Sequence, residues 1–238
     1  MRRLIVRPIA IACVVLIAGE RASAHPPPLL PESQIAALVN ELSGETARGN
    51  LEGLAQLHRQ RGSHGFHAAA ELIAERATRY GLAHVEILQL PADGRIYYGT
   101  QRSRPAWDAD LGELTEIRPE GELKMASFAA QPIVLAEDSE SADVTTELID
   151  VGDGSMESDY AGKDVRGRIV LAATQAGAAQ ELAVGKFGAA GIISYAQNQP
   201  TAWSGENDNL VRWGHLQSFS PDKTFAFMVS LKTGVLWP

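Results

Sequence analysis

His64 and His67 stand three residues apart, a spacing that can bring two imidazoles to one side of a helix, where they could share a metal ion. A catalytic zinc needs three protein ligands. Glu71 is the first carboxylate at a supportive helical spacing, so the pattern reads as a solvated helix face rather than a centre. Ser63, within Gly62-Ser63-His64-Gly65, has the small neighbours of a nucleophile elbow. An elbow, however, needs a glycine two residues before the serine and a strand leading into it. Arg61 occupies that position and the preceding segment has a helical pattern, so Ser63 is expected to cap a helix. His58 and His84 are isolated. The glycines at 185, 188 and 191 close a helical pattern and precede a strand, the reverse of a dinucleotide fingerprint. No Gly-x-x-x-x-Gly-Lys-Ser/Thr run occurs.

The richest stretch runs from Asn198 to Leu216 and holds two of the four tryptophans together with Arg, His and acids in a loop-like segment. Such composition is common at recognition surfaces. Trp203, Arg212, Trp213 and His215 are therefore the candidate substrate-cleft residues. An equally weighted alternative makes Trp203 and Trp213 anchors that pin a long loop to a sheet. Glu206 and Asp208 lack EF-hand spacing. No residue is assigned a catalytic or metal-binding role.

Several elements must position these residues. Ser33 is a candidate N-cap for a first helix whose apolar face would be Ile35, Leu38, Val39 and Leu42, ended by Ser43-Gly44. A second helical pattern passes through Leu51, Leu54, Ala55 and His58. A third follows Ser63 with Phe66, Ala70, Ile73, Ala74 and Ala77 in phase and Gly81 as its stop. Strand character appears at 85–90, 95–100 and 111–117, and 131–135 reads as a junction or a first strand of a second unit. Beyond it come a strand at 147–151, a loop at 159–161, a buried strand at 169–173, a helix at 175–187, a buried strand at 192–195 and a last strand at 225–231. Strand, helix, strand implies a parallel crossover.

Met1-Arg2-Arg3 and Arg7, the apolar run Pro8 to Ala18, and Ala22-Ser23-Ala24 form a secretory signal peptide over residues 1–24. The run is far short of the ~20 residues that span a bilayer, so no stable membrane insertion is expected after cleavage. His25 and Pro26-Pro27-Pro28 open the mature chain as a stiff leader. The chain of 238 residues carries a formal charge of −8. The leader holds four Arg and one Glu, which leaves 17 basic against 28 acidic residues, a net charge of −11. An acidic chain of this kind has no field to hold nucleic acid phosphates. Cys13, the one cysteine, leaves with the leader, so disulfides, thiol catalysis and thiolate metal sites are not expected.

Ser158-Asp159-Tyr160-Ala161-Gly162-Lys163-Asp164-Val165-Arg166-Gly167-Arg168-Ile169-Val170-Leu171, followed by a helix and then Gly188-Ala189-Ala190-Gly191-Ile192-Ile193-Ser194-Tyr195, resembles a protease-associated domain. Arg59-Gln60-Arg61-Gly62-Ser63 and the helix running to Tyr80 resemble the opening of zinc-dependent aminopeptidases of the glutamate-carboxypeptidase and transferrin-receptor-like type. The stretches Trp203 to Glu206 and Leu210 to Leu216 look like an exported bacterial subset of that family. The resemblance implies an α/β chain: a signal peptide at 1–24, the helices and antiparallel ribbon of an incomplete peptidase α/β domain at 25–126, and a protease-associated domain of mixed sheet and helices at 127–238. It also implies two zinc ions in the complete parent enzyme, bridging a hydroxide that attacks the scissile carbonyl, with a Glu as general base.

This sequence has no His-x-Asp and no Glu-Glu pair, so no family zinc ligand carries over and no cofactor is expected in this chain. The expected product is the inactive N-terminal part of a periplasmic or secreted aminopeptidase, truncated before its catalytic ligands, with a peptide as the natural partner. The alternative is a non-catalytic peptide- or protein-binding protease-associated module. A third reading, an unrelated hydrolase using His64, His67 or Ser63, ranks last. If the parent sheet is incomplete, the opening helices and ribbon should leave apolar surface uncovered, and residues from about Ser127 onward should be the better ordered half.

Overall fold

The structure, a computed structural model, describes residues 29–197 and 207–237. The proposed leader and Trp203 lie outside the described residues. The chain divides into two compact units, Met1–Leu51 and Glu52–Pro238.

The first unit holds helix α1, Glu32–Glu41, and most of helix α2, Gly44–Ala55. Ser33 is not the cap expected of it: Pro31 occupies the N-cap of α1, where its fixed φ suits the first turn but provides no side-chain acceptor. Ser43 takes the capping role one helix later, its Oγ accepting from Thr46 N at 3.2 Å. The face with Leu38, Val39 and Leu42 is exposed, and α1 buries no residue.

In the second unit, helix α3, His64–Arg79, starts where the sequence puts it, with Ser63 Oγ accepting from Phe66 N at 3.1 Å. The glycines flanking that cap are sterically required. Gly62 adopts φ +73, and a Cβ there would meet that of Ala106, while a Cβ on Gly65 would collide with the carbonyl oxygen of His58. Residues 85–90 form no ladder; their apolar alternation finds no partner strand. A tight hairpin follows, β1 (Tyr97–Tyr98) against β2 (Gln101–Arg102). A longer hairpin, β3 (Glu113–Arg118) against β4 (Gly121–Ser127), has an irregular register between Leu114 and Thr115. Residues 131–135 contain a 3₁₀ turn, Pro132–Val134, rather than a strand, since Pro132 removes a ladder donor and favours a first helical position.

The centre of the unit is a sheet in the order β5 (Leu148–Asp150), β6 (Ile169–Ala172), β7 (Gly191–Ser194), β8 (Phe225–Met228), with all three pairings parallel. Parallel sheets bury both faces, which explains why β6 and β7 read as unbroken apolar runs. Alternate residues feed two cores. Val170, Ala172, Ile192, Ala226 and Met228 pack with Ala176, Ala179, Ala183, Tyr160 and Leu216. Ile169, Leu171, Ile193, Phe227 and Val229 pack on the other face with Leu114, Ala126, Val134 and Leu135. The helix expected over 175–187 is short α4, Ala176–Gln180, continued as a π-turn, Glu181–Lys186. After β8, Ser230 caps α5, Leu231–Leu236, by accepting from Thr233 N at 3.2 Å, an element the sequence reading did not anticipate.

Among the described residues, only Ala69, Leu114 and Ala126 precede residue 127 in the buried apolar set. Phe66, Ile73, Leu88, Leu90, Tyr97, Leu111, Ile117 and Leu123 are exposed. Burial thus concentrates on the parallel sheet. Gln180, 1% exposed, ties that sheet's long β7 to β8 connection: its Nε2 donates to Asp222 O and its Oε1 accepts from Gln217 N, both at 2.7 Å. Gln180→Leu should strand both backbone groups and cost about 1–3 kcal/mol, read as a lower urea midpoint at unchanged slope. A midpoint within error of the parent would show that the connection does not depend on this clamp.

Candidate functional site

A buried carboxylate pair closes the run Val134-Leu135-Ala136. Glu137 is 3% and Asp138 9% exposed. Two guanidiniums from the helical and hairpin segments meet them. Arg61 pairs with both acids, and Arg104 reaches Asp138 at 2.7 Å and Glu137 at 4.0 Å. Ser218 Oγ donates to Asp138 at 2.7 Å and accepts from Arg104 Nε at 2.7 Å. Two positive and two negative groups therefore balance where unpaired charge would be very costly. Burial lowers the Arg61 pKa below the ordinary guanidinium value, against the pull of Asp138. Asp138 itself sits at φ +69, a conformation uncommon outside glycine that the surrounding bonds must hold.

The same acids seat the aromatic loop. Glu137 N donates to Gly214 O at 3.0 Å, and Leu216 N donates to Glu137 O at 2.8 Å, a parallel bridge between Glu137 and His215. Oriented by its neighbours, the buried Gln60 amide donates to both Glu137 oxygens at 3.3 and 3.2 Å and accepts from Trp213 Nε1 at 3.0 Å. Trp213 is thus tied by its N–H while the residue stays 45% exposed, its ring beside that of His215 at 5.1 Å. Arg212 turns elsewhere, its Nη1 donating to Gln197 O at 3.0 Å. Of the four candidate cleft residues, the structure brings Trp213 and His215 together, places Arg212 apart, and leaves Trp203 outside the described residues. Sequence reasoning missed Arg61, Arg104, Glu137 and Asp138. An adjacent acid pair ending an apolar run was the available signal, because buried carboxylates require partners.

The histidines of the first reading separate. His64 Nδ1 lies 2.7 Å from Asp108 and His67 Nε2 lies 3.2 Å from Glu71, each a two-member pair. Partial burial opposes ionisation of Asp108, but hydrogen bonds from His64 and from Ala109 N outweigh it and hold its carboxyl below the usual range. Ser63, 2% exposed, is engaged as a cap and also donates to His58 O at 3.3 Å, a geometry unsuited to a nucleophile. Among the described residues, no group of three or more His, Cys, Asp or Glu could hold a metal ion. Nor is any described helix long and apolar enough to cross a membrane.

No family model matches the sequence, and no curated protein matches it. Among solved structures, an aminopeptidase from Aneurinibacillus sp. strain AM-1 overlays with a TM-score of 0.43 and 21% identity, covering 82% of this chain and 40% of that one. The chain thus spans less than half the length of that structure. An overlay at this level does not establish a common fold; what the chain shows by itself is a mixed α/β architecture.

His58 gives the site region a pH response. Burial holds its imidazole below the ordinary 6.5, with Asp108 pulling the other way; its Nε2 is buried and has no hydrogen-bond partner among the described residues, and its ring meets Phe128 edge-on at 5.3 Å. A depressed pKa means that the unfolded chain binds the proton more readily. The neutral ring's contribution is therefore complete above the unfolded value and is lost as pH falls through the folded one. Thermal midpoints should drop from about pH 7 to about pH 5, and His58→Phe should flatten that part of the profile. An identical slope in the variant would contradict the assignment.

Proposed function

We propose that this chain is a non-catalytic portion of an exported zinc-dependent aminopeptidase, carrying a protease-associated domain over residues 127–238 and contributing a wall of the substrate cleft. The observation that carries the reading is the uneven burial. The parallel sheet is closed on both faces, while Phe66 and Ile73 of α3, Ile117 of β3 and Leu123 of β4 face outward. Outward apolar side chains of this kind, on a helix and on a hairpin, are what further polypeptide covers. The motif resemblances at 59–63, 158–171 and 188–195 support the same family. The leader over 1–24 supports export to the periplasm or beyond.

In the complete enzyme zinc would activate water. The described residues do not fit such a centre, since the His64–Asp108 and His67–Glu71 pairs are separate and each lacks a third ligand. This chain's own contribution is positional: Glu137 and Gln60 hold Trp213 with its ring partly exposed, a surface suited to an apolar peptide side chain. That exposed ring beside His215 also favours a second reading, a peptide-binding module acting without catalysis.

Purified full chain should take up no stoichiometric zinc and should not hydrolyse aminoacyl p-nitroanilides. A chain extended through the reading frame beyond the Pro238 codon should gain both properties. Zinc-dependent hydrolysis by the 238-residue chain would overturn the non-catalytic assignment. A downstream frame without His-x-Asp and Glu-Glu, joined to saturable peptide binding lost in Trp213→Ala, would favour the binding module instead.

A further inference from the structure

An open pocket of about 720 Å³ lies beside the buried ion cluster, lined by Arg61, Tyr98, Arg102, Arg104 and Phe219 together with hydroxyl and amide groups of residues 100–103. Its three guanidiniums are not equivalent. Arg61 and Arg104 are neutralised by Glu137 and Asp138. Arg102 forms no ion pair among the described residues: its Nε donates to Gly94 O at 2.6 Å, its guanidinium lies 4.1 Å over the Phe219 ring, and no partner is present for Nη1 or Nη2. The wall thus carries one uncompensated positive charge, with a flat aromatic surface next to it.

The loop that carries Arg102 is built to hold it. Asp93 Oδ1 accepts from Arg95 N at 2.8 Å, Ile96 N at 3.0 Å and Ser103 Oγ at 3.2 Å. The Ile96 bond, then the Arg95 bond, keeps the Asp93 carboxyl below its ordinary range. Asp93 Oδ1 is thus engaged by the loop's own N–H and hydroxyl groups, and among the described residues Asp93 forms no ion pair with Arg102. Ser103 N closes the hairpin onto Ile96 O at 2.8 Å, and Tyr98 Oη is fixed by donating to Pro91 O at 2.8 Å. Tyr98 and Phe219 are both substantially exposed, so the rings present faces rather than fill a core.

We propose that this pocket binds a monocarboxylate with a flat apolar body, its carboxylate taken by the Nη1/Nη2 edge of Arg102 and its body lying against Tyr98 and Phe219. A guanidinium fork matches a carboxylate in geometry and charge. Stacking on Phe219 removes a conformational freedom that a solvated arginine would lose on binding. One net charge on the wall selects a monoanion over a dianion. The proposal does not depend on the peptidase reading, because it uses neither the zinc ligands nor Trp213. A free aromatic acid and the C-terminal residue of a peptide carry the same chemistry.

Titration of the full chain with hydrocinnamate, with N-acetyl-alanyl-phenylalanine and with the C-terminal amide of that dipeptide separates the cases, read by amide chemical shifts and calorimetry. Both acids should bind saturably and the amide should be weaker by about tenfold or more, the loss of a charge-assisted bidentate contact. Tighter binding of the dipeptide acid assigns the pocket to peptide C-termini, and equal or tighter binding of hydrocinnamate assigns it to free aromatic acids. Arg102→Gln should abolish the preference for acid over amide, and Phe219→Leu should weaken both acids while keeping that preference. Equal binding of acid and amide, unchanged affinity in Arg102→Gln, or no saturable binding of either acid would overturn the proposal.

Discussion

The second unit depends on a buried four-charge cluster. Glu137 and Asp138 end an apolar run inside the fold, and without Arg61 and Arg104 they would be two desolvated carboxylates side by side, a state that proteins avoid by neutralisation or unfolding. The guanidiniums come from opposite sides of the chain's course: Arg61 precedes the cap of α3 and Arg104 follows the β1–β2 hairpin. Pairing therefore gathers three otherwise separate segments at one point. The Glu137 backbone adds a fourth, since its N–H and C=O bracket Gly214 to Leu216. Removing one partner is worse than never having had the pair, because it leaves the remaining charge buried and unmatched.

This arrangement links fold to site in two directions. Toward the aromatic loop, Glu137 positions Gln60 and Gln60 fixes the indole N–H, so the exposure of the Trp213 ring is set from within the core. Toward the hairpin, the two acids pair with Arg61 and Arg104, while Arg102, which lines the same pocket, forms no ion pair among the described residues. The steric demands at Gly62 and Gly65 belong to the same design, since the turn they form delivers Arg61 immediately before a capped helix. What reads in sequence as a small-residue motif around a serine is a device for aiming an arginine inward.

Much of the scaffold was legible because local physics decided it. Ser63 before an in-phase apolar series gives α3, and the unbroken runs at 169–172 and 191–194 give two buried parallel strands. Residues 85–90 alternate like a strand yet find no partner, since pairing is a property of two segments and not of one. Pro132 turns a strand-like run into a 3₁₀ turn, and the π-turn after Gln180 has no local mark that separates it from ordinary helix. The ion cluster was illegible for a different reason: Arg61 and Asp138 are 77 positions apart, and no periodicity relates them. Only the pair Glu137-Asp138, placed where apolar residues should continue, indicated that a partner was owed. Trp213 illustrates the middle case, where composition singled out the residue and the structure shows it anchored and exposed at once.

A double-mutant cycle on Arg61→Leu and Asp138→Asn, measured by urea unfolding of the full chain, tests the central role of the cluster most directly. Each single variant should lose about 3 kcal/mol, and the double variant should lose less than the sum by at least about 1 kcal/mol. Losses that add to within about 0.5 kcal/mol, as for distant independent sites, would contradict the account.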